Sequence, residues 1–238
     1  MKKILILIVI TIIFITGCGK KDNQLVMVTE AGFAPYEYYE NGEIVGVDVD
    51  IAKEIAKYLG KELVIKDVSF DSIINEVKSG KSDFGAAGIS YTGERAKEVD
   101  FTIDYSISKQ VIIVKEGINK IDNLDNKRIA LQLGSVADSY VTKNYKNAKV
   151  IRQKKYLATI EDLKNDKVDL VIMDELPAKE ILKNNPGLVI LNQELFTDKY
   201  GMVVRKGNDE LLKAINKVLS DLIADGKIEE YVIHHTSE

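Results

Sequence analysis

The chain has 238 residues, with 33 Lys plus Arg against 37 Asp plus Glu, a formal net charge of −4, two His and one Cys. Charges of both signs are interspersed, so no basic stripe offers itself to nucleic acid. A single thiol excludes internal disulfides and a cysteine-rich metal site.

Lys2 and Lys3 give a basic start, and Ile4 to Ile15 is an apolar run with Thr11 as its only hydroxyl. Such a run is shorter than the ~20 residues a membrane-spanning helix needs, and small residues follow it, as in a secretory signal. Ile15-Thr16-Gly17-Cys18 resembles a bacterial lipobox. The expectation is a signal peptide over 1–17, a lipid on Cys18 and a polar tether over 18–24. The competing reading is an uncleaved anchor helix with an idle Cys. Loss of Lys2 and Lys3 would take the formal charge from −4 to −6.

Beyond the tether, short β-branched runs alternate with amphipathic helices. Leu25–Val28 reads as a strand. Gly46–Leu59 contains a helix that Asp48 or Asp50 can cap, with Gly60 as its stop. Leu63–Val68 is a strand, Phe70–Ser79 a helix ended by Gly80, and Asp83–Ala87 a short strand opening into Gly88. Further strands are expected at Val111–Val114, Arg128–Leu131, Val150–Arg152, Leu170–Met173, Leu188–Leu191 and Met202–Val204. Asp209–Ala224 carries apolar residues at helical spacing and stops at Gly226. The alternation implies an α/β fold with mainly parallel sheets covered on both faces.

One segment echoes another. Phe70–Ala87 lies on Tyr156–Met173 with a constant offset, placing Phe70 on Tyr156, Ile74 on Ile160, Lys78 on Lys164 and Asp83 on Asp169. Two lobes built from one supersecondary unit would face each other across a cleft. In open α/β sheets ligands bind beyond the carboxyl ends of the strands, which selects Gly88–Ser90 and Asp174.

The chemistry there suits a zwitterion. Gly88 to Arg95 offers a glycine turn, hydroxyls and the planar fork of Arg95, a set fitted to a carboxylate. A surface loop with a Glu94–Arg95 pair is the plainer alternative. Ser135 opens a helix whose N-terminal N–H groups could complete a carboxylate site, or it is simply a capping Ser. Asp174 can pair with an ammonium, cap the helix segment starting at Pro177, or pair with a nearby lysine. Glu30 follows the first strand. Phe33 and Phe70 suit both core packing and ligand stacking, core being the more common place for a single aromatic.

Phe33-Ala34-Pro35-Tyr36-Glu37-Tyr38, Gly42, Gly46-Val47-Asp48-Val49-Asp50, Ser79-Gly80-Lys81-Ser82-Asp83, Gly88 to Arg95, Val99-Asp100-Phe101 and Tyr105 resemble, as an ordered set, the polar amino-acid solute-binding proteins of ATP-driven importers, family 3. The likeness runs from about Leu25 to Tyr231. It implies a two-lobed periplasmic-binding-protein-like α/β fold of type II. Lobe 1 would be 25–104 plus 200–238, lobe 2 would be 110–195, and the crossings 105–109 and 196–199 would act as hinges. It further implies that Arg95 holds the ligand α-carboxylate, helped by Ser90 and the backbone of Gly88 and Ser135. Asp174 would hold the α-ammonium, Phe33 and Phe70 would sandwich the ligand, and Glu30 would read the ligand's side chain or its amino group.

The expected partners are a free amino acid (cystine or cysteine, a basic amino acid, or glutamine), ABC permease subunits, and the membrane through Cys18. The protein is expected to be a monomer on the extracytoplasmic face, with no nucleic-acid partner, no cofactor, no metal and no catalytic residue. Two rivals are an enzyme of the same fold, such as a dehydratase, and a ligand-sensing lipoprotein. The two histidines, His234 and His235, read as part of a polar tail.

Overall fold

The structure, a computed structural model, describes residues 23–236. Cys18 and the lipobox lie outside the described residues. The chain enters through β1 (Gln24–Thr29), buried along nearly its whole length. A hairpin of β2 (Tyr38–Glu40) and β3 (Glu43–Val45) follows. It turns on Asn41 and Gly42, both at positive φ (51° and 87°), as a two-residue hairpin turn requires. Then comes α1 (Val47–Leu59), which buries Val49, Ile51, Ala52 and Ile55 and ends on Gly60 in the left-handed conformation.

The residue capping α1 is Gly46, without any side-chain cap. Neither Asp48 nor Asp50 plays the expected part. Gly46 sits at φ 130°, where an added Cβ would stand 2.1 Å from the Tyr36 carbonyl oxygen. Only a bare backbone lets the hairpin approach the helix start this closely. Asp48 is turned inward and fully buried, while Asp50 pairs with Lys53 and His235.

The first lobe continues with β4 (Glu62–Asp67), a 3-10 turn over Phe70–Ser72, α2 (Ile73–Lys78), β5 (Phe84–Gly85), α3 (Arg95–Glu98) and β6 (Val99–Phe101). The expected helix over 70–79 is therefore split, and the expected strand over 83–87 shrinks to two residues. The second lobe holds β7 (Ser106–Lys115), β8 (Arg128–Gln132), α4 (Val136–Asn144), β9 (Lys149–Gln153), α5 (Tyr156–Lys164), β10 (Leu170–Asp174), α6 (Glu175–Lys183) and β11 (Leu188–Tyr200). The chain returns to the first sheet as β12 (Val203–Arg205) and ends in α7 (Asp209–Ala224) and α8 (Lys227–Thr236).

The sheet orders are β4-β1-β5-β12-β6 and β11-β7-β10-β8-β9. The echo noticed in the sequence extends further than two segments. β1-α1-β4-α2-β5 and β8-α4-β9-α5-β10 are the same parallel unit, the first strand central and the second at the edge. In each sheet the remaining strands run antiparallel: β12 against β5 and β6, β7 against β10 and β11.

The segments expected to be hinges are strand, paired with each other. Lys109 lies opposite Thr197, Ser108 opposite Asp198, Ile107 opposite Lys199 and Ser106 opposite Tyr200. The two connections thus form one ribbon. His234 and His235 do not lie in a loose tail but in the last turn of α8. There His235 bonds Asp50 through Nε2 at 2.8 Å and the Tyr38 hydroxyl through Nδ1 at 3.1 Å, tying the last helix to α1 and the hairpin.

Candidate ligand-binding site

Glu30, Phe33, Phe70, Gly88, Ser90, Ser135 and Asp174 line one small cavity of about 20 Å³ between the lobes, together with Glu37, Gln132 and Tyr156. A void of that size holds about one water. Arg95 does not line it. Arg95 borders a neighbouring cavity of about 110 Å³, separated from the first by Phe70, which lines both.

The position of each group follows from the chain. Glu30 and Asp174 stand at the carboxyl ends of β1 and β10, the central strand of one repeat and the last strand of the other. Asp174 is 5 % exposed, and three donors bond the same oxygen, Oδ1: Ser108 Oγ at 2.7 Å, Gln110 Nε2 at 2.7 Å and the Tyr200 hydroxyl. It makes no side-chain cap for α6, so the helix-cap alternative fails. Burial raises Asp174 above the ordinary carboxylate range, while the three hydrogen bonds pull it back.

Glu30 is 1 % exposed. Gln132 Nε2 donates to Oε2 at 3.1 Å, and Lys155 Nζ stands 3.2 Å from Oε1. Burial raises Glu30, and Lys155 and Gln132 oppose the rise.

The Arg95 guanidinium donates to the Ser90 carbonyl at 2.6 Å and, across the cleft, to the Gly134 carbonyl at 2.9 Å. It lies 5.3 Å over the Phe70 ring. Its pKa is pushed down to about 10 by burial, against the pull of Asp198. No ion pair joins Arg95 to Glu94 among the described residues, which removes the surface-pair alternative.

The backbone N–H groups of Gly88 and Ser135 each have a partner within the protein. The Gly88 N–H donates to Asp48 Oδ2 at 3.2 Å, and the Ser135 N–H to the Gln132 carbonyl at 3.2 Å, so both are already engaged. Ser135 Oγ caps α4 by accepting from the Asp138 N–H at 3.1 Å. The capping reading of Ser135 therefore holds, and the residue lines the cavity as well. Gly88 is needed for another reason. It sits at φ 53°, and a Cβ there would meet Phe33 Cε1 at 2.7 Å.

Both expected aromatics line the cavity, and Tyr156 joins them. Phe33 stacks on Tyr156 with centroids 5.6 Å apart and planes at 23°. Phe70 lies under Arg95. Tyr156 is the residue onto which the internal echo places Phe70, so the same position of each repeat supplies an aromatic to the cavity.

Three further acids, Glu37, Asp48 and Asp198, were not foreseen. Glu37 is fully buried in the cavity wall, and neither carboxyl oxygen has a donor among the described residues. Burial and the neighbouring Asp48 charge raise it well above the carboxylate range. Asp48 itself is pushed up to about 6 by burial, although Tyr105 and Gly88 donate to it. Asp198 accepts from Ser90 Oγ and is pushed up to about 6 by burial and the charge of Asp174. The signal for Glu37 and Asp48 was available: charged residues inside apolar stretches at the start of the chain's first helical unit.

The profile of the bacterial extracellular solute-binding proteins, family 3, matches residues 25–236. The chain belongs to that family. As a family 3 solute-binding protein it is 31% identical to the arginine-binding extracellular protein ArtP of Bacillus subtilis, over 97% of this chain and 96% of that one. It is 26% identical to the L-cystine-binding protein TcyJ of Escherichia coli, over 88% and 81%. Among solved structures, an ancestral arginine-binding protein bound to glutamine superposes with a TM-score of 0.85 at 37% identity, covering 92% of this chain and all (100%) of that one. The family 3 chain shares with that solved structure its overall fold. Among the described residues no helix is long and apolar enough to cross a membrane, and no group of three or more His, Cys, Asp or Glu is placed to hold a metal ion.

Proposed function

We propose that this family 3 protein captures a free polar L-amino acid between its lobes and delivers it to the permease of an ABC importer. The observation that carries the reading is the cavity itself. It lies between the carboxyl ends of corresponding strands, walled by the three aromatics Phe33, Phe70 and Tyr156, and lined by three acids, Glu30, Glu37 and Asp174, with no Lys or Arg among its lining residues. Such an excess of buried negative charge calls for a cationic group on the ligand. Asp174 takes the α-ammonium. Arg95 exchanges one or both of its carbonyl partners for the α-carboxylate, which binds a guanidinium more strongly than a carbonyl does. Glu30 reads the far end. The three relatives, named for arginine, cystine and bound glutamine, share the α-amino acid and differ in that far end.

The cavity is too small for an amino acid as the lobes stand, so entry requires them to part. The β7–β11 ribbon is the hinge in this reading, with lobes at 25–104 plus 200–238 and at 110–195. No catalysis and no cofactor belong to the reading.

Thermal unfolding against the twenty amino acids plus cystine and ornithine tests it, after partial unfolding and dialysis to strip any ligand carried through purification. A ligand at 100 times its dissociation constant adds about 2.7 kcal/mol, a rise of several degrees. One ligand or one small group is expected to give that rise; a melt unmoved by all of them refutes amino-acid capture.

We further propose that Cys18 carries a lipid that holds the protein at the extracytoplasmic face of the membrane. Cys18→Ser is expected to move the protein from the membrane fraction to the medium. Retention of the variant at the membrane would count against the anchor.

A further inference from the structure

Glu30 belongs to the first lobe, yet both groups that reach its carboxylate, Gln132 and Lys155, come from the second. Lys155 stands directly before Tyr156, the ring stacked on Phe33. Its Nζ lies 3.2 Å from Glu30 and 3.4 Å from Asp67 Oδ2, and Asp67 is itself held by the Ala31 N–H at 2.9 Å. The pair is lopsided. Glu30 is buried in the wall of the small cavity, whereas the Lys155 side chain is 46% exposed and borders a groove of about 1030 Å³ together with Ala31 and Gly32. Gly32 keeps the way beside the carboxylate clear: a Cβ there would stand 3.0 Å from Glu30 Oε1.

Lys155 therefore brings to Glu30 the charge that the tip of a basic ligand would bring. A carboxylate offers about four lone-pair sites, so an uncharged N–H donor can bond Glu30 while Lys155 stays. A guanidinium or ammonium tip would place a second cation beside Nζ. It must then either tolerate that repulsion or drive Lys155 outward into the groove, where Asp67 can keep it.

We propose that Lys155 is a specificity-determining residue, an internal counter-ion of Glu30 that sets the site against basic side chains and toward amide-ended or zwitterion-ended amino acids. The inference rests on the amino-acid reading above. A lysine that merely latched the lobes together would affect all ligands alike; a counter-ion affects them according to the charge of their far end.

Calorimetric titration of wild type, Lys155→Met and Glu30→Gln/Lys155→Met with arginine and with glutamine separates the two. In Lys155→Met the affinity for arginine relative to glutamine is expected to rise by roughly tenfold or more, because a buried carboxylate left unpaired favours an incoming cation. The gain is expected to vanish in the double variant. An unchanged ratio, or equal weakening of both ligands, overturns the counter-ion role and leaves amino-acid capture intact. Binding of neither ligand to any of the proteins, with no response to the full amino-acid panel, overturns both.

Discussion

Asp174→Asn is expected to leave the protein folded and to weaken ligand binding by about 2–5 kcal/mol, the usual consequence of removing one partner of a desolvated charge pair. The side-chain amide is nearly isosteric, and its oxygen can still accept from Ser108, Gln110 and Tyr200, which all bond a single oxygen of the acid. What disappears is the charge opposite the α-ammonium. Arg95→Ala should weaken binding by a similar amount on the carboxylate side. It also removes the interlobe bond to the Gly134 carbonyl, so its effect on the unliganded melt must be measured separately. Calorimetric titration of both variants is decisive: unchanged affinity in both would discard the site assignment, and a loss in only one would discard the role of the other.

The unliganded protein is expected to be more stable near pH 5 than near pH 7.5. Asp48, Asp198 and Glu37 all have raised values, the first two at about 6 and Glu37 well above its ordinary 4.5. An acid raised on folding keeps its proton in the native state after the unfolded chain has released it. Stability then falls as pH rises from the unfolded value through the folded one. For Asp48, raised from 3.8 to about 6, the cost at neutral pH is about 3 kcal/mol. Acids lowered by partners, such as Asp50 and Asp169, work in the opposite sense, but their contribution is complete once pH exceeds the ordinary carboxylate range. Melting temperature should therefore decline between pH 5 and 7.5. Glu37→Gln, which cannot ionise, should flatten the decline and raise stability at pH 7.5. A melting temperature that climbs over this interval would show that the buried acids do not control it.

Much of the architecture was legible because burial leaves a periodic trace. The apolar runs of β1, β8 and β10 and the striped α7 announce themselves, and so do the glycine stops at Gly60 and Gly226. The candidate site was legible through its position after strands, which selected Glu30, Gly88 and Asp174. What escaped was whatever the other lobe decides. The half of β11 from Asn192 to Lys199 has no fully buried residue, its exposed and half-buried alternation is broken by register shifts, and it is strand because β7 runs beside it. The last helix looked like a polar tail because only Ile228 is fully buried in it, and the bonds of His235 are long-range. Asp48 resembled a helix cap because its true partners, Tyr105 and Gly88, are 57 and 40 residues away. Lys155, an ordinary lysine at a helix start, gains its meaning only from Glu30 across the cleft.

The pairing of the two connections has a mechanical consequence. Two independent tethers would allow one lobe to twist and slide against the other as well as to open. Strands joined rung by rung resist shear and stretching in their own plane, because every rung would have to break, and yield chiefly by flexing out of it. If the lobes part about this ribbon, as proposed above, their motion would be confined to a narrow arc that a single angle largely describes. A partner that grips both lobes at once thus faces a one-parameter family of shapes and can tell loaded from empty by one measurement of span.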